Sequence, residues 1–142
     1  MKGIKVFVDS DVIISSLISE KGAAYFLLYK QKVNFVISNI SKIELEGVVD
    51  RLKLNQNKLK DLIKRKFKVV KLTKDIPSTK KNFEDYTSDS DDAHIIAGAI
   101  KTKAKFLLTY NLRHFNKQRI SKDLGITVLT PAQYLQHLRS LG

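Results

Sequence analysis

The chain has 142 residues, 43% apolar and 28% charged, which suits one domain with a single core. Lys and Arg number 26 against 14 Asp and Glu, and the net charge of +12 favours a polyanionic partner, nucleic acid first. No cysteine is present, which excludes disulfides and thiolate-bound zinc and fits a cytoplasmic protein; no apolar run is long enough to span a membrane.

Ile4 to Val8 reads as a buried parallel strand ending at Asp9. Ser10 or Asp11 can cap a helix through Val12 to Ile18, which Gly22 breaks. Ala23 to Lys30 is a second short helix, with Tyr25, Phe26 and Tyr29 as core or dimer contacts. Val33 to Ser38 is the second strand. Helices follow over Ile40 to Leu52 and Asn55 to Lys66, then a third strand over Lys68 to Leu72. A polar loop runs from Pro77 to about Tyr86. An acidic helix opens at Asp89 and ends near Lys103. Phe106 to Thr109 is the fourth strand, and Tyr110 to Leu124 is a basic loop with one helical turn. Gly125 precedes a fifth strand, Ile126 to Leu129. Thr130, Pro131 and Gln133 form a capping box that starts the last helix. Strands alternate with helices, so the expected fold is a single α/β domain over 1–142: a three-layer α/β/α sandwich on a mostly parallel, five-stranded sheet.

In such sheets, sites form beyond the carboxyl ends of the strands. Asp9 stands at one such end, where its alternative role is a helix cap; Asp11 reads as the purer cap. On a helical wheel, Glu44 shares a stripe with Ile40, Ile43, Val48 and Leu52, whereas Glu46 falls on the polar face. An inward carboxylate needs a partner, either a cation or an ion pair with Arg51. Asp92 shares the side of Ile95, Ile96 and Ala99, so it is the inward acid; Asp91 and Asp89 are flanking or capping acids. Two carboxylates about 4 Å apart repel by about 4 kcal/mol at an effective dielectric of about 20. Asp9, Glu44 and Asp92 therefore coexist only around a cation or shared protons. All-oxygen ligation suits Mg2+ or Mn2+. On a basic protein, a divalent ion held by acids is the chemistry of phosphodiester hydrolysis.

With these residues placed, the chain resembles the PIN-domain family of metal-dependent ribonucleases, which includes the VapC-type toxins. Val6 to Ser15 is similar to the family's opening motif, with Asp11 where Asn is usual. Ile37 to Leu45 resembles the second motif, whose acid matches Glu44. Asp89 to Ala97 resembles the third, whose acid matches Asp92. Leu107 to Asn111 resembles the fourth, with Asn111 where many relatives carry Asp. An amide brings no charge, so the number of metal ions, one or two, stays open; Asp89 or Asp91 can supply the missing charge. Ser10 and Asp11 are further candidates beside Asp9.

The resemblance implies an endoribonuclease using Mg2+ or Mn2+ and leaving a 3′-hydroxyl and a 5′-phosphate. Asp9 and Asp92 would bind metal, Glu44 would bind it or orient water, and Thr109 and Asn111 would position water or substrate. It implies a homodimer, RNA as substrate and, for the toxin subset, an antitoxin offering acidic or apolar segments to a basic groove. A processing nuclease without antitoxin and an inactive RNA-binding module are the alternatives.

Arg113, Lys117 and Arg119 follow the fourth strand and are candidate RNA contacts, as is His114 near Asn111. His94 reads as a surface or interface residue. Lys53 to Lys74 holds nine Lys and Arg against one acid, mostly a solvated helix face. A phosphoacceptor receiver domain would need an Asp ending the third strand and a Lys after the fifth; Leu72-Thr73 and Thr130-Pro131 stand there instead.

Overall fold

A computed structural model describes residues 3–73 and 84–142. The polar loop expected from Pro77 lies largely outside the described residues.

The elements run β1 (Lys5–Val8), α1 (Ser10–Ile18), α2 (Ala23–Lys30), β2 (Asn34–Ser38), α3 (Asn39–Arg51), α4 (Gln56–Lys66), β3 (Phe67–Val70), a 3-10 turn (Ser90–Asp92), α5 (Ala93–Lys101), β4 (Phe106–Leu108), a second 3-10 turn (Leu112–His114), α6 (Lys117–Leu124), β5 (Thr127–Leu129) and α7 (Pro131–Ser140). All strand pairs are parallel, in the order β3-β2-β1-β4-β5. The chain builds outward from β1 to β3, then returns to β4 on the other side of β1. That reversal opens a crevice between the carboxyl ends of β1 and β4.

Strand alternation divides the core. Val6 and Val8 face Val12, Leu27, Leu59 and Tyr134, from α1, α2, α4 and α7. Phe7 faces the other way, against Ile95 and Ile96 of α5 and Ile120 of α6. Gly98 permits the close approach of α5 to β1, since a Cβ there would lie 2.5 Å from the Phe7 ring.

The ends of the helices follow local chemistry. Thr130 and Gln133 form the reciprocal box expected at α7. Helix α1 differs from expectation, because its N-cap is Asp9, whose Oδ1 accepts from the Ser10 amide at 2.7 Å. The expected basic loop after β4 contains a regular helix, α6. Asn116 caps its start by accepting from the Arg119 amide, and Gly125 ends it at φ 67°.

Helix α3 also turns differently from the wheel. Its buried side is Ser41, Leu45 and Val49, while Ile43 is 67% exposed. Glu44 therefore does not point into the core and does not need Arg51. Among the described residues, no single helix is long and apolar enough to cross a membrane.

Candidate active site

Asp9 leaves β1 directly into α1, and its amide donates to the Leu108 carbonyl of β4 at 2.9 Å. This joins the two strands at the mouth of the crevice. The Asp9 side chain is nearly buried. Its Oδ2 accepts from Thr109 Oγ1 at 2.9 Å, and Thr109 is wholly buried at the end of β4. Thr109 Oγ1 in turn accepts from the Asn111 amide at 3.0 Å.

Asp11 is not a helix cap. Its Oδ2 accepts from the Tyr110 amide at 2.9 Å and lies 3.3 Å from Thr109 Oγ1. Its Oδ1 is buried without a partner among the described residues, as is the Ser10 hydroxyl. A buried carboxylate oxygen left bare is costly, so the site has unfilled ligand capacity.

A cavity of about 550 Å³ lies over these groups, and Asp9, Asp11, Glu44, Asp92, Ser10 and Asn111 all line it. Acids from β1–α1, α3 and the turn before α5 thus line one cavity, although among the described residues the acids and histidines whose ligand atoms all lie within 4.8 Å are Asp89, Asp92 and His114 rather than Asp9, Glu44 and Asp92. Ile14 and Ile18 of α1 and Val48 of α3 add apolar surface to the same lining. No Lys or Arg is among its lining residues. The lining expected to be basic is instead a mixture of acidic and apolar side chains.

Burial raises the pKa values of Asp9, Asp11 and Asp92. Burial and then the neighbouring Asp11 charge push Asp9 from 3.8 to about 7, with Asp92 adding to the rise and the Thr109 hydroxyl opposing it. Asp11 is raised by burial against the opposing bond from the Tyr110 amide. Asp92 is raised by burial, while its bond to His114 pulls it back and the Asp89 charge pushes it up.

Two histidines buttress the acids. His94 Nε2 lies 3.1 Å from Glu44 Oε1. The expectation of a surface His94 is overturned, since its side chain is 8% exposed and its Nδ1 has no partner among the described residues. A signal for this was present in the sequence: α5 is apolar on nearly every side, and such helices are buried all round. His114 Nδ1 lies 3.1 Å from Asp92 Oδ2. Asp89, Asp92 and His114 each offer a ligand atom, and these atoms lie within 4.8 Å of one another. His114, expected only as an RNA contact, therefore sits beside Asp92 as a metal-capable donor. Asp91 is exposed and does not line the cavity.

The expected RNA contacts separate. Arg113 and His114 line a second cavity, about 570 Å³, which shares Asn111 with the first. Lys117 begins α6 and is exposed. Arg119 is engaged elsewhere, 3.2 Å from Asp123 and 3.9 Å from Asp85.

A family model described as PIN domain matches residues 5–113. Solved structures share the fold at low identity. A toxin–antitoxin complex from Klebsiella pneumoniae is 20% identical, with a TM-score of 0.64, over 89% of this chain and 97% of that one. VapBC2 from Rickettsia felis, bound to a promoter DNA fragment, is 15% identical, with a TM-score of 0.62, over 88% and 97%. VapC20 from Mycobacterium tuberculosis, a toxin cleaving the sarcin–ricin loop, is 15% identical, with a TM-score of 0.54, over 86% and 98%. No curated protein matches the chain in sequence.

Proposed function

The chain belongs to the PIN-domain family, and on that premise we propose that it is a divalent-metal-dependent endoribonuclease, the toxin of a toxin–antitoxin pair. The observation that carries this reading is the set of four acids, Asp9, Asp11, Glu44 and Asp92, lining one cavity at the β1–β4 crevice. Its donors are all oxygen, one of them is a bare buried carboxylate oxygen on Asp11, and carboxylate oxygens are what Mg2+ or Mn2+ takes.

Asp9, Asp92 and Glu44 would hold the ion, with Asp11 and Asp89 adding negative charge. When bound, the ion supplies an acidified water and neutralises charge on the phosphoryl oxygens. The chain's own groups set the stage. Thr109 fixes the Asp9 carboxylate, His94 fixes Glu44, and His114 fixes Asp92. Asn111 and Arg113 border the place where a phosphodiester would enter. Hydrolysis adds water across the bond from phosphorus to the 3′-oxygen, which leaves as the 3′-hydroxyl, and the phosphate stays on the 5′ side.

The apolar part of the lining supports the antitoxin part of the proposal. Ile14, Ile18 and Val48 line the cavity, and Ile18 and Ile43 are 62% and 67% exposed. An apolar partner segment carrying a cationic side chain matches this mixed lining. The structurally similar Klebsiella protein belongs to a toxin–antitoxin complex. A homodimer belongs to the same proposal, and sedimentation reads it.

The test is RNA cleavage by purified protein. Cleavage is expected with Mg2+ or Mn2+, should stop with chelator, and should yield 5′-phosphate ends. Cleavage that persists in chelator, or in both Asp9→Asn and Asp92→Asn, would overturn the proposal.

A further inference from the structure

The acid-lined cavity cannot by itself attract RNA. Its lining includes four carboxylates, Asp9, Asp11, Glu44 and Asp92, and no Lys or Arg. The opposite end of the sheet has the reverse character. There, two adjoining cavities of about 470 and 480 Å³ share Val33, Asn34, Arg65 and Lys66. Lys32 lines the first, and Lys5 and Lys68 line the second. No Asp or Glu is among the lining residues of either.

The topology makes this concentration of charge. β1, β2 and β3 are adjacent and parallel, so their amino ends lie side by side. Lys5 opens β1, Lys32 precedes β2, and Arg65 and Lys66 end α4 just before β3. Among the described residues, Lys5, Lys32, Lys66 and Lys68 form no ion pair. Arg65 pairs with Asp61 at 3.2 Å, but the side chains are 73% and 57% exposed, so a phosphate can replace that partner at little cost. Part of the lysine-rich run around α4 is thereby gathered into a concave site.

The first cavity also holds aromatic surface. Phe106 and His137 both line it, with ring centroids 4.9 Å apart, and Tyr134 packs against Phe106 at 5.0 Å. Cations that track a backbone beside rings that take a base are the equipment for single-stranded nucleic acid.

We infer that the amino-terminal end of the sheet is a second RNA-binding site, holding sugar-phosphate on Lys5, Lys32, Arg65, Lys66 and Lys68 while the acid-lined cavity acts on a remote phosphodiester. The inference rests on RNA being the substrate class proposed above.

The test is fluorescence anisotropy with a labelled single-stranded RNA in chelator, so that binding is read without cleavage. The site variant is Lys32→Glu/Arg65→Glu/Lys66→Glu. A charge-matched control, Lys21→Glu/Lys58→Glu/Lys122→Glu, changes exposed lysines elsewhere. The site variant is expected to weaken binding about tenfold or more and to lower the log–log salt slope by about 2, from roughly 0.7 per lost phosphate contact. The control should weaken binding less than about threefold, since exposed charges act through a screened field. The milder Lys32→Gln should lower the slope by about 0.7, which keeps the test valid if the triple variant folds poorly. Equal weakening by both triple variants, no weakening by the site variant, or no binding by wild type would each overturn the inference. Cleavage by wild type in Mn2+ reports separately on the nuclease proposal, so the two can fail independently.

Discussion

Thr109 Oγ1 lies 2.9 Å from Asp9 Oδ2, a buried hydrogen bond between residues 100 positions apart in sequence. It fastens the end of β4 to the end of β1 at the switch point of the sheet. The same hydroxyl accepts from the Asn111 amide, so its single proton is free for a carboxylate. Thr109→Val keeps the shape and removes that proton. The expected loss is about 1–3 kcal/mol, because Asp9 is left under-satisfied. Urea unfolding in chelator at about pH 8 measures it, and an unchanged midpoint would show that the bond contributes nothing.

The metal-free protein should lose stability as pH rises from about 4 to about 7. Asp9 titrates near 7 when folded, against an ordinary 3.8. The folded state therefore binds the extra proton in that window, and stability falls with pH there. Asp11 and Asp92 are raised as well and act in the same direction. Melting temperatures in chelator should be lower at about pH 8 than at about pH 5, and Asp9→Asn should flatten the trend. A melting temperature that climbs over that range would contradict the electrostatics.

His94→Phe separates positioning from packing. The ring grows by one heavy atom and a buried, unpartnered Nδ1 is removed, so stability should fall by no more than about 1–3 kcal/mol. Glu44 loses the group that holds it, so Mn2+ affinity should fall about 10- to 100-fold. Full Mn2+ affinity in a well-folded His94→Phe would show that His94 is only packing.

Gly98→Ala tests the register of α5 on β1. The new methyl would meet the Phe7 ring, and overpacking of this kind costs about 1–3 kcal/mol. Thermal unfolding reads it, and an unaltered melting temperature would mean that the helix can move away freely.

The strands were legible because buried parallel strands are short apolar runs, and Val6-Phe7-Val8 is such a run. The acids at their ends followed from topology, and the resemblance supplied the family. Glu44 shows where the reasoning was too simple. Its stripe does not face the core: Val48 lines the cavity with Glu44, and Ile43 and Leu52 are exposed. A wheel cannot distinguish these two destinations. The contacts of His94 with Glu44 and of His114 with Asp92 are not legible in the sequence, because the pairing of a histidine with an acid on another element depends on tertiary geometry. Helix α6 could have been read from Asn116 and Gly125, which cap it, but its basic composition drew attention to charge.

The most direct measurement is calorimetric titration of Mn2+ into the wild type and into Asp9→Asn, which needs no knowledge of the RNA target. If Asp9 and its neighbours share one hard cation, wild type should bind Mn2+ saturably with proton release, and Asp9→Asn should bind at least about tenfold more weakly. Equal binding by the two proteins, or none by wild type, would contradict the cation site on which the nuclease proposal stands.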